Sequence, residues 1–408
     1  MNIRRSAAVL AATAVIGAAT PAVAASPSPT PSVAVPSGLY GTTDPTYDGV
    51  WRQSLALLAQ DTVGVKPAEK AVAWLTGQQC ANGSFAAFRA APATACDAKL
   101  MVDTNSTAAA VQALAALGGH GAAADKAVGW LKSVQNADGG WGYAPGGASD
   151  TNSTAVVVGA LAAAGEKPAE VVKGGKSPYD ALVRLALPCA DGGAFAYQPD
   201  KQGKLAANAD ATAAGVLGAL GEGLAAGAGK KADETACAAP GTPRQAAANG
   251  AAYLAKAVAK DGYLTSVLPG AENQPDYGNT ADAVVALAAQ GGAGQAAKPL
   301  AWLQRNAAAW AKQSGPAAWA QLVLAAHAAG ADPRAFGGTD LVAALNATGP
   351  APQAAGSAQK GDADDADEAD EAGQDPEDGF GVWWTVGVFL VAGIGIGFLI
   401  SGRRKQQQ

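Results

Sequence analysis

Two copies of one pentapeptide carry the densest hydrogen-bonding chemistry in the chain: Asp-Thr-Asn-Ser-Thr at 103–107 and again at 150–154. Looser copies follow, with Asp210 and Thr212 in NADAT and with Asp276, Tyr277 and Asn279 in DYGNT. One polar side chain is enough to cap a helix N-terminus, at about 1 kcal/mol. Five in a row leave spare hydrogen-bonding capacity. Asp103, Thr104 and Asn105, and Asp150, Thr151 and Asn152, are therefore candidates to hold a ligand. If Asp103, Asp150 and Asp276 faced one another they would also suit two-carboxylate glycoside chemistry, although no signature for it is present. Zinc chemistry is poorly supplied, because the chain has two His, four Cys and no CxxC. A DxDD acid motif occurs once, at Asp362-Ala363-Asp364-Asp365, inside an acidic tract with no apolar residues to build a pocket. No catalytic residue, metal ligand or cofactor is assigned on these grounds.

The elements that position these residues are repeated helices. Each polar start leads into an alanine-rich run that closes on Gly, at 103–119, 150–166, 208–223 and 276–292. Polar start and Gly stop are helix signals. Thr107, Thr154 and Thr280 each precede a Leu by seven residues (Leu114, Leu161, Leu287). In the 208 copy the Leu is displaced by one, which leaves that register open. Between these runs lies a bulkier helix type with a charged face, at 67–79, 123–135, 177–187, 244–258 and 296–310. Adding 46–60, 315–330 and 332–346 gives about twelve helices in six pairs across 45–348. A stacked array fits this period. Six pairs also suffice to close an (α/α)6 toroid, an all-α ring with the alanine-rich helices inside. That ring would bring every Gly-rich turn and every inner-helix N-terminus to one rim. The polar residues above would meet there, with Tyr143, Tyr197 and Tyr277 nearby and Phe88 at the edge.

The stretch KAVGWLKSVQNADGGW resembles the QW motif of the terpenoid cyclase and protein prenyltransferase superfamily (prenyltransferase/squalene oxidase repeats). Lys126, Trp130, Leu131, Gln135, Gly139, Gly140 and Trp141 carry the match. Lys70, Trp74, Leu75, Gln79, Gly83 and Phe85 carry a weaker one, and CADGGAFAY (189–197) keeps the turn alone. The resemblance implies the toroid, with aromatic and Gln packing and capping the outer helices. Within that superfamily the vitamin B12 carriers open inner helices with Asp-Thr, and VDTNSTAAAVQALAAL (102–117) is similar to that pattern. It implies a carrier whose ligand is a corrinoid or another amphipathic small molecule, delivered to an uptake transporter. The enzyme alternatives are a terpenoid-cyclase-like, prenyltransferase-like or carbohydrate-active protein. Against a cyclase, the inner helices at 103–117, 150–164, 208–225 and 276–290 offer Tyr277 alone as an aromatic. A structural or protein-docking module is the third reading. A paired, buried carboxylate with a raised pKa in the cavity would separate enzyme from carrier.

The flanks read as export and anchoring. Residues 1–24 form a signal peptide, with Arg4 and Arg5, an apolar run and Ala22-Val23-Ala24. A Pro/Ser-rich linker occupies 25–44. After the 45–348 domain come an acidic stalk (349–381), an uncharged transmembrane run (382–400) and a basic cytoplasmic tail (401–408). The expected location is the cell membrane, single-pass, with the domain outside. A net charge of −6 and the absence of a basic block exclude nucleic acid as a partner. Four cysteines in an exported chain suggest two disulfides. Of three pairings, Cys80–Cys96 and Cys189–Cys237 are favoured, since each closes a loop leaving a Gly-rich turn.

Overall fold

A computed structural model describes residues 35–230, 238–267 and 272–354. Six inner helices are α1 (Gly49–Thr62), α3 (Thr104–Leu117), α5 (Thr151–Ala163), α7 (Ala209–Leu220), α9 (Tyr277–Gly291) and α11 (Pro316–Ala328). Six outer helices are α2 (Glu69–Gly77), α4 (Gly121–Ser133), α6 (Pro178–Leu185), α8 (Pro243–Val258), α10 (Ala293–Ser314) and α12 (Leu341–Asn346). Each inner helix packs on the next, from α1 to α3, α5, α7, α9 and α11, and α11 returns to α1. That return closes the ring and removes the stacked array as an account of this chain. Alanine explains the closeness. In α5 every residue from Thr151 to Leu161 is buried, whereas in the outer α4 only one face is, through Ala124, Ala127, Val128, Trp130 and Leu131. The last outer helix is shorter than 332–346 suggests, because a turn over 333–340 precedes it. Strand is limited, among the described residues, to the two-residue pair Leu264–Thr265 and Pro275–Asp276 and a few isolated bridges.

The joint between outer and inner helices repeats around the ring. At three joints the Thr four residues after the cap residue donates its hydroxyl to the cap carbonyl, Thr107 to Asp103 O at 2.7 Å, Thr212 to Asn208 O at 2.6 Å and Thr280 to Asp276 O, whereas Thr154 donates to Trp141 O at 3.3 Å. The same Oγ1 accepts the backbone N–H of the residue that follows the Gly-rich turn. Phe85 donates to Thr107, Trp141 to Thr154, Phe195 to Thr212 and Leu264 to Thr280, at 3.0, 3.1, 3.0 and 3.0 Å. Each returning residue is thereby placed beneath the ring. The indole of Trp141 donates to Leu131 O at 2.7 Å, which satisfies a last-turn carbonyl of α4. Gln135 has a different task from capping. Its Nε2 donates to Gly139 O at 2.9 Å and to Val171 O at 3.0 Å, tying the turn to the approach of the next outer helix. Gly139 has φ +87, and a Cβ there would meet Ser177 O at 2.2 Å, so only glycine suits the turn.

The ends of the domain latch the first pair to the last. Tyr40 is fully buried, Gly41 N donates to Thr348 O at 2.8 Å, and Gln353 Nε2 donates to Pro67 O at 2.9 Å. Packing therefore reaches into residues 38–44 and 349–353, beyond the 45–348 limits read from the repeats. Cys80 and Cys96 are joined, with Cα atoms 5.7 Å apart. Cys189 is also disulfide-bonded; its expected partner, Cys237, lies outside the described residues. So do the signal peptide, the transmembrane run and nearly all of the acidic stalk. Among the described residues no helix is long and apolar enough to cross a membrane.

Candidate functional site

The ring encloses a small cavity of about 70 Å³. Its upper wall is built from the first turns of successive inner helices. Asn105, Asn152 and Asp210 are the second residues of α3, α5 and α7, and all three line it. From α9 and α11 the contributions come a turn deeper, through Asp282 and Gln321. Trp51 of α1 supplies one ring, and Val156, Leu217, Val285 and Leu324 make an apolar lower wall. The floor is the segment after α7. Leu224 N donates to Gln112 Oε1 at 2.8 Å, and Gln112 Nε2 donates to Val156 O at 3.0 Å. A Cβ on Gly159 would meet Gly223 Cα at 2.6 Å, so two glycines allow this segment to cross against α5. The cavity thus has a closed end at the inner-helix C-termini.

Caps and cavity residues alternate along the first turns. Asp103 accepts from Ser106 N at 2.6 Å, Asp150 from Ser153 N at 2.7 Å and Asp276 from Asn279 N at 3.0 Å. In α7 the cap is Asn208, which accepts from Ala211 N at 2.8 Å. The open register is therefore set by Asn208 and Thr212, and Asp210 faces the cavity. There it accepts Asn152 Nδ2 at 2.8 Å. Asn105 Oδ1 and Asn152 Oδ1 have no hydrogen-bond partner, although the two residues are 4% and 6% exposed.

Burial controls the acids. It raises Asp103 and Asp150 to about 6 against the pull of their cap hydrogen bonds. Asp210 rises to about 7, first through burial and further through Asp276 and Asp150, while the Asn152 hydrogen bond opposes the rise. Asp282 rises to about 8 through burial and then the Asp210 charge. Gln321 Nε2 lies 3.4 Å from its Oδ1. Asp276 is also raised, chiefly by burial. Asp210 and Asp282 keep a proton into the neutral range, so each can donate as well as accept a hydrogen bond.

Of the residues expected at the site, Asn105, Asn152 and Asp210 line the cavity. Asp103, Asp150 and Asp276 lie one step behind them as caps. Thr104 and Thr151 are buried and tie backbone: Thr104 N donates to Tyr143 O at 2.8 Å, and Thr151 Oγ1 donates to Ala196 O at 2.6 Å. Thr212 serves the joint, and Asn279 donates to Asp276 Oδ2 at 2.8 Å. Tyr143 lies by Asp103, where burial and that charge push its phenol up to about 12. Burial raises the Tyr197 phenol too, with Asp150 and Asp210 nearby. Tyr277 turns outward, with ring centroids 4.9 Å from Trp302 and 5.4 Å from Trp310. Phe88 stacks on Trp74. Asp282, Gln321 and Trp51 were not singled out from the sequence. A lone acid inside the alanine-rich run ADAVVALAA is the signal that would have found Asp282.

Residues 42–187 match the prenyltransferase alpha-alpha toroid domain family. Among solved structures the chain is similar to an ent-copalyl diphosphate synthase from Streptomyces platensis, at 18% identity, TM-score 0.44, covering 69% of this chain and 50% of that one. It is similar to a protein from Actinoplanes, at 18% identity, TM-score 0.30, with 65% and 82% covered. It is similar also to a sugar epimerase from a ruminal bacterium, at 14% identity, TM-score 0.40, with 61% and 74% covered. The chain spans half the length of the Streptomyces synthase. No curated protein matches it. The six helical pairs closed into a ring, with the family match over the first repeats, give this chain an α/α-toroid fold.

Proposed function

We propose that the toroid captures a small ligand in its one-ended cavity. The observation that carries this reading is the pair of unpartnered, buried amide oxygens on Asn105 and Asn152, both lining the cavity. An unsatisfied buried acceptor costs roughly 1–3 kcal/mol, and native proteins keep few of them. Both side chains occupy helix positions where the neighbouring Asp already caps, so neither is needed to start its helix. The size suits a compact small molecule and no larger one. That gives no support to a corrinoid held inside the ring, and a ligand of that bulk would have to lie across the mouth. The sequence features at 1–24 and 382–408 favour an exported, tethered domain that hands its ligand to an uptake system in the same membrane. The disulfide-bonded state of Cys80, Cys96 and Cys189 suits an oxidising compartment.

A second reading is favoured by Asp210 and Asp282. They are the paired, buried carboxyls with raised pKa values that would mark an enzyme, and a neutral acid in an apolar cavity can act as a general acid. One experiment separates the two. A metabolite extract is incubated with the full chain and with Asp282→Asn, and free metabolites are quantified. A carrier depletes one metabolite by no more than one equivalent. An enzyme depletes several equivalents and forms a product, and the Asn variant does neither. Depletion of nothing by wild type sinks both readings.

A further inference from the structure

We propose that the cavity takes a compact organic cation bearing N–H donors, an alkyl ammonium or short diamine, seated between Asp210 and Asp282 with its N–H groups on Asn105 Oδ1 and Asn152 Oδ1. This rests on the capture reading and names its ligand class.

Three observations point the same way. First, the free hydrogen-bonding capacity is acceptor in kind. Asn152 spends its Nδ2 on Asp210 at 2.8 Å, which fixes Oδ1 as an acceptor with nothing to accept from. Asn105 Oδ1 also has no partner. Second, the acids have no counter-charge. Asp210, Asp282 and, at the floor, Glu222 line the cavity, and no Lys, Arg or His does. A buried carboxyl without a counter-charge keeps its proton, and a cationic ligand would supply the positive partner that lets it ionise. Third, the surroundings suit an organic cation better than a metal ion. Among the described residues no group of three or more His, Cys, Asp or Glu could hold a metal. Leu217, Val285 and Leu324 offer apolar surface to a hydrocarbon chain, and the Trp51 side chain brings an aromatic ring to the wall, of the kind that attracts ammonium groups.

Binding such a cation draws the two carboxyls into their charged form. The groups that act on them are Asp150 and Asp276 at the rim, Asn152, Gln321 and each other. Tyr197 lies beside Asp150 and Asp210, and Glu222 lines the floor. In the empty cavity Asp210 and Asp282 hold protons up to about pH 7 and 8. The ammonium enters, the carboxyl O–H bonds break and up to two protons leave for solvent. Affinity therefore rises with pH, by at most about tenfold per unit for each proton released, and levels above pH 8.

Calorimetry on the full chain tests this with putrescine and cadaverine against 1,4-butanediol and 1,5-pentanediol, at pH 6 and pH 8, in two buffers of different ionisation heat. The diols match the diamines in length and keep a donor at each end, without the charge. The diamines should bind at least about tenfold tighter than the diols, more tightly at pH 8, and with proton release. Asp210→Asn and Asp282→Asn keep the shape and should erase that preference, and melting curves confirm that they fold. Asn105→Ala should weaken diamine binding by up to about tenfold. Diols binding as well as diamines, with Asn105→Ala still weakening both, overturns the cation and leaves capture standing. Binding of none of the four probes overturns the cation; capture falls with it only if the full chain also takes nothing from the metabolite extract.

Discussion

The ring has an amide side and an acid side, and the same backbone position makes both. On α3 and α5 the order is Asp-Thr-Asn, with Asp103 or Asp150 as cap and Asn105 or Asn152 toward the cavity. On α7 the order is Asn-Ala-Asp, with Asn208 as cap and Asp210 toward the cavity. Cap and cavity residues have exchanged identities at unchanged spacing. Asn and Asp serve almost equally as N-caps, so the exchange leaves the helix start intact while converting the cavity from amide to carboxyl. On α9 the second position is Gly278, and the carboxyl comes from Asp282 a turn deeper. The fold thus holds the scaffold constant and varies the chemistry of the cavity one residue at a time.

The largest effect should come from making the amide side acidic. Asn152→Asp removes the donor to Asp210 and sets a second buried carboxyl against it. Breaking such a buried pairing costs about 3–5 kcal/mol. Urea unfolding should show that loss at pH 8 and most of it recovered at pH 5, where the carboxyls share protons. An equal loss at both pH values would mean packing, and not charge, separates the two sides.

The wild-type acid side should itself make stability fall with pH. Asp210 and Asp282 hold their protons in the folded state to about 7 and 8, against 3.8 for an ordinary Asp. Between those values the folded chain binds more protons than the unfolded one, so stability declines as pH rises, by up to about 1.4 kcal/mol per unit for each group. Below the ordinary carboxyl range, and above pH 8, these two groups contribute no slope. Asp282→Asn should flatten the upper part of the curve. A denaturation midpoint that rises between pH 5 and 8 in the ligand-free chain would contradict the assignment.

The exchange of caps gives a smaller effect. Asp103→Ala, Asp150→Ala and Asn208→Ala should each cost about 1 kcal/mol. The double change Asn208→Asp with Asp210→Asn copies the α5 pattern onto α7 and should keep stability within about 0.5 kcal/mol, while weakening capture of any cation. Thermal melts of the four variants check the ranking. A large loss in the double variant would show that cap and cavity positions are not interchangeable.

Smallest of all in stability is Asn105→Ala, within about 0.5 kcal/mol or slightly stabilising, because Asp103 keeps the cap. Its expected signature is lost ligand affinity without lost melting temperature. A drop of several degrees would instead make Asn105 a structural residue.

The sequence by itself determined the six helical pairs and the shared end where their polar starts gather, while the packing of α11 on α1 decided for a ring over a stacked array. Alanine-rich helices that start on Asp or Asn and stop on Gly can only pack closely side by side, and their bulkier partners must cover the outside. The Gly-Gly-Trp turn had to fold back, because a buried indole needs an acceptor and the end of α4 leaves carbonyls without partners. The favoured Cys80–Cys96 pairing was legible too, since it closes a short loop beside one such turn. What only the tertiary structure decided is which polar residue looks inward. Capping depends on local backbone geometry, so Asp103 and Asp150 could be read as caps from neighbouring residues. Facing the cavity depends on how each helix is rotated against its neighbours. That rotation placed Asn105, Asn152 and Asp210 inside and turned Tyr277 onto Trp302 and Trp310. It also brought Asp282 opposite acids from other repeats, more than seventy residues away in the case of Asp210. A pKa raised by such neighbours and by burial belongs to the assembled ring, because no local stretch of chain contains either cause.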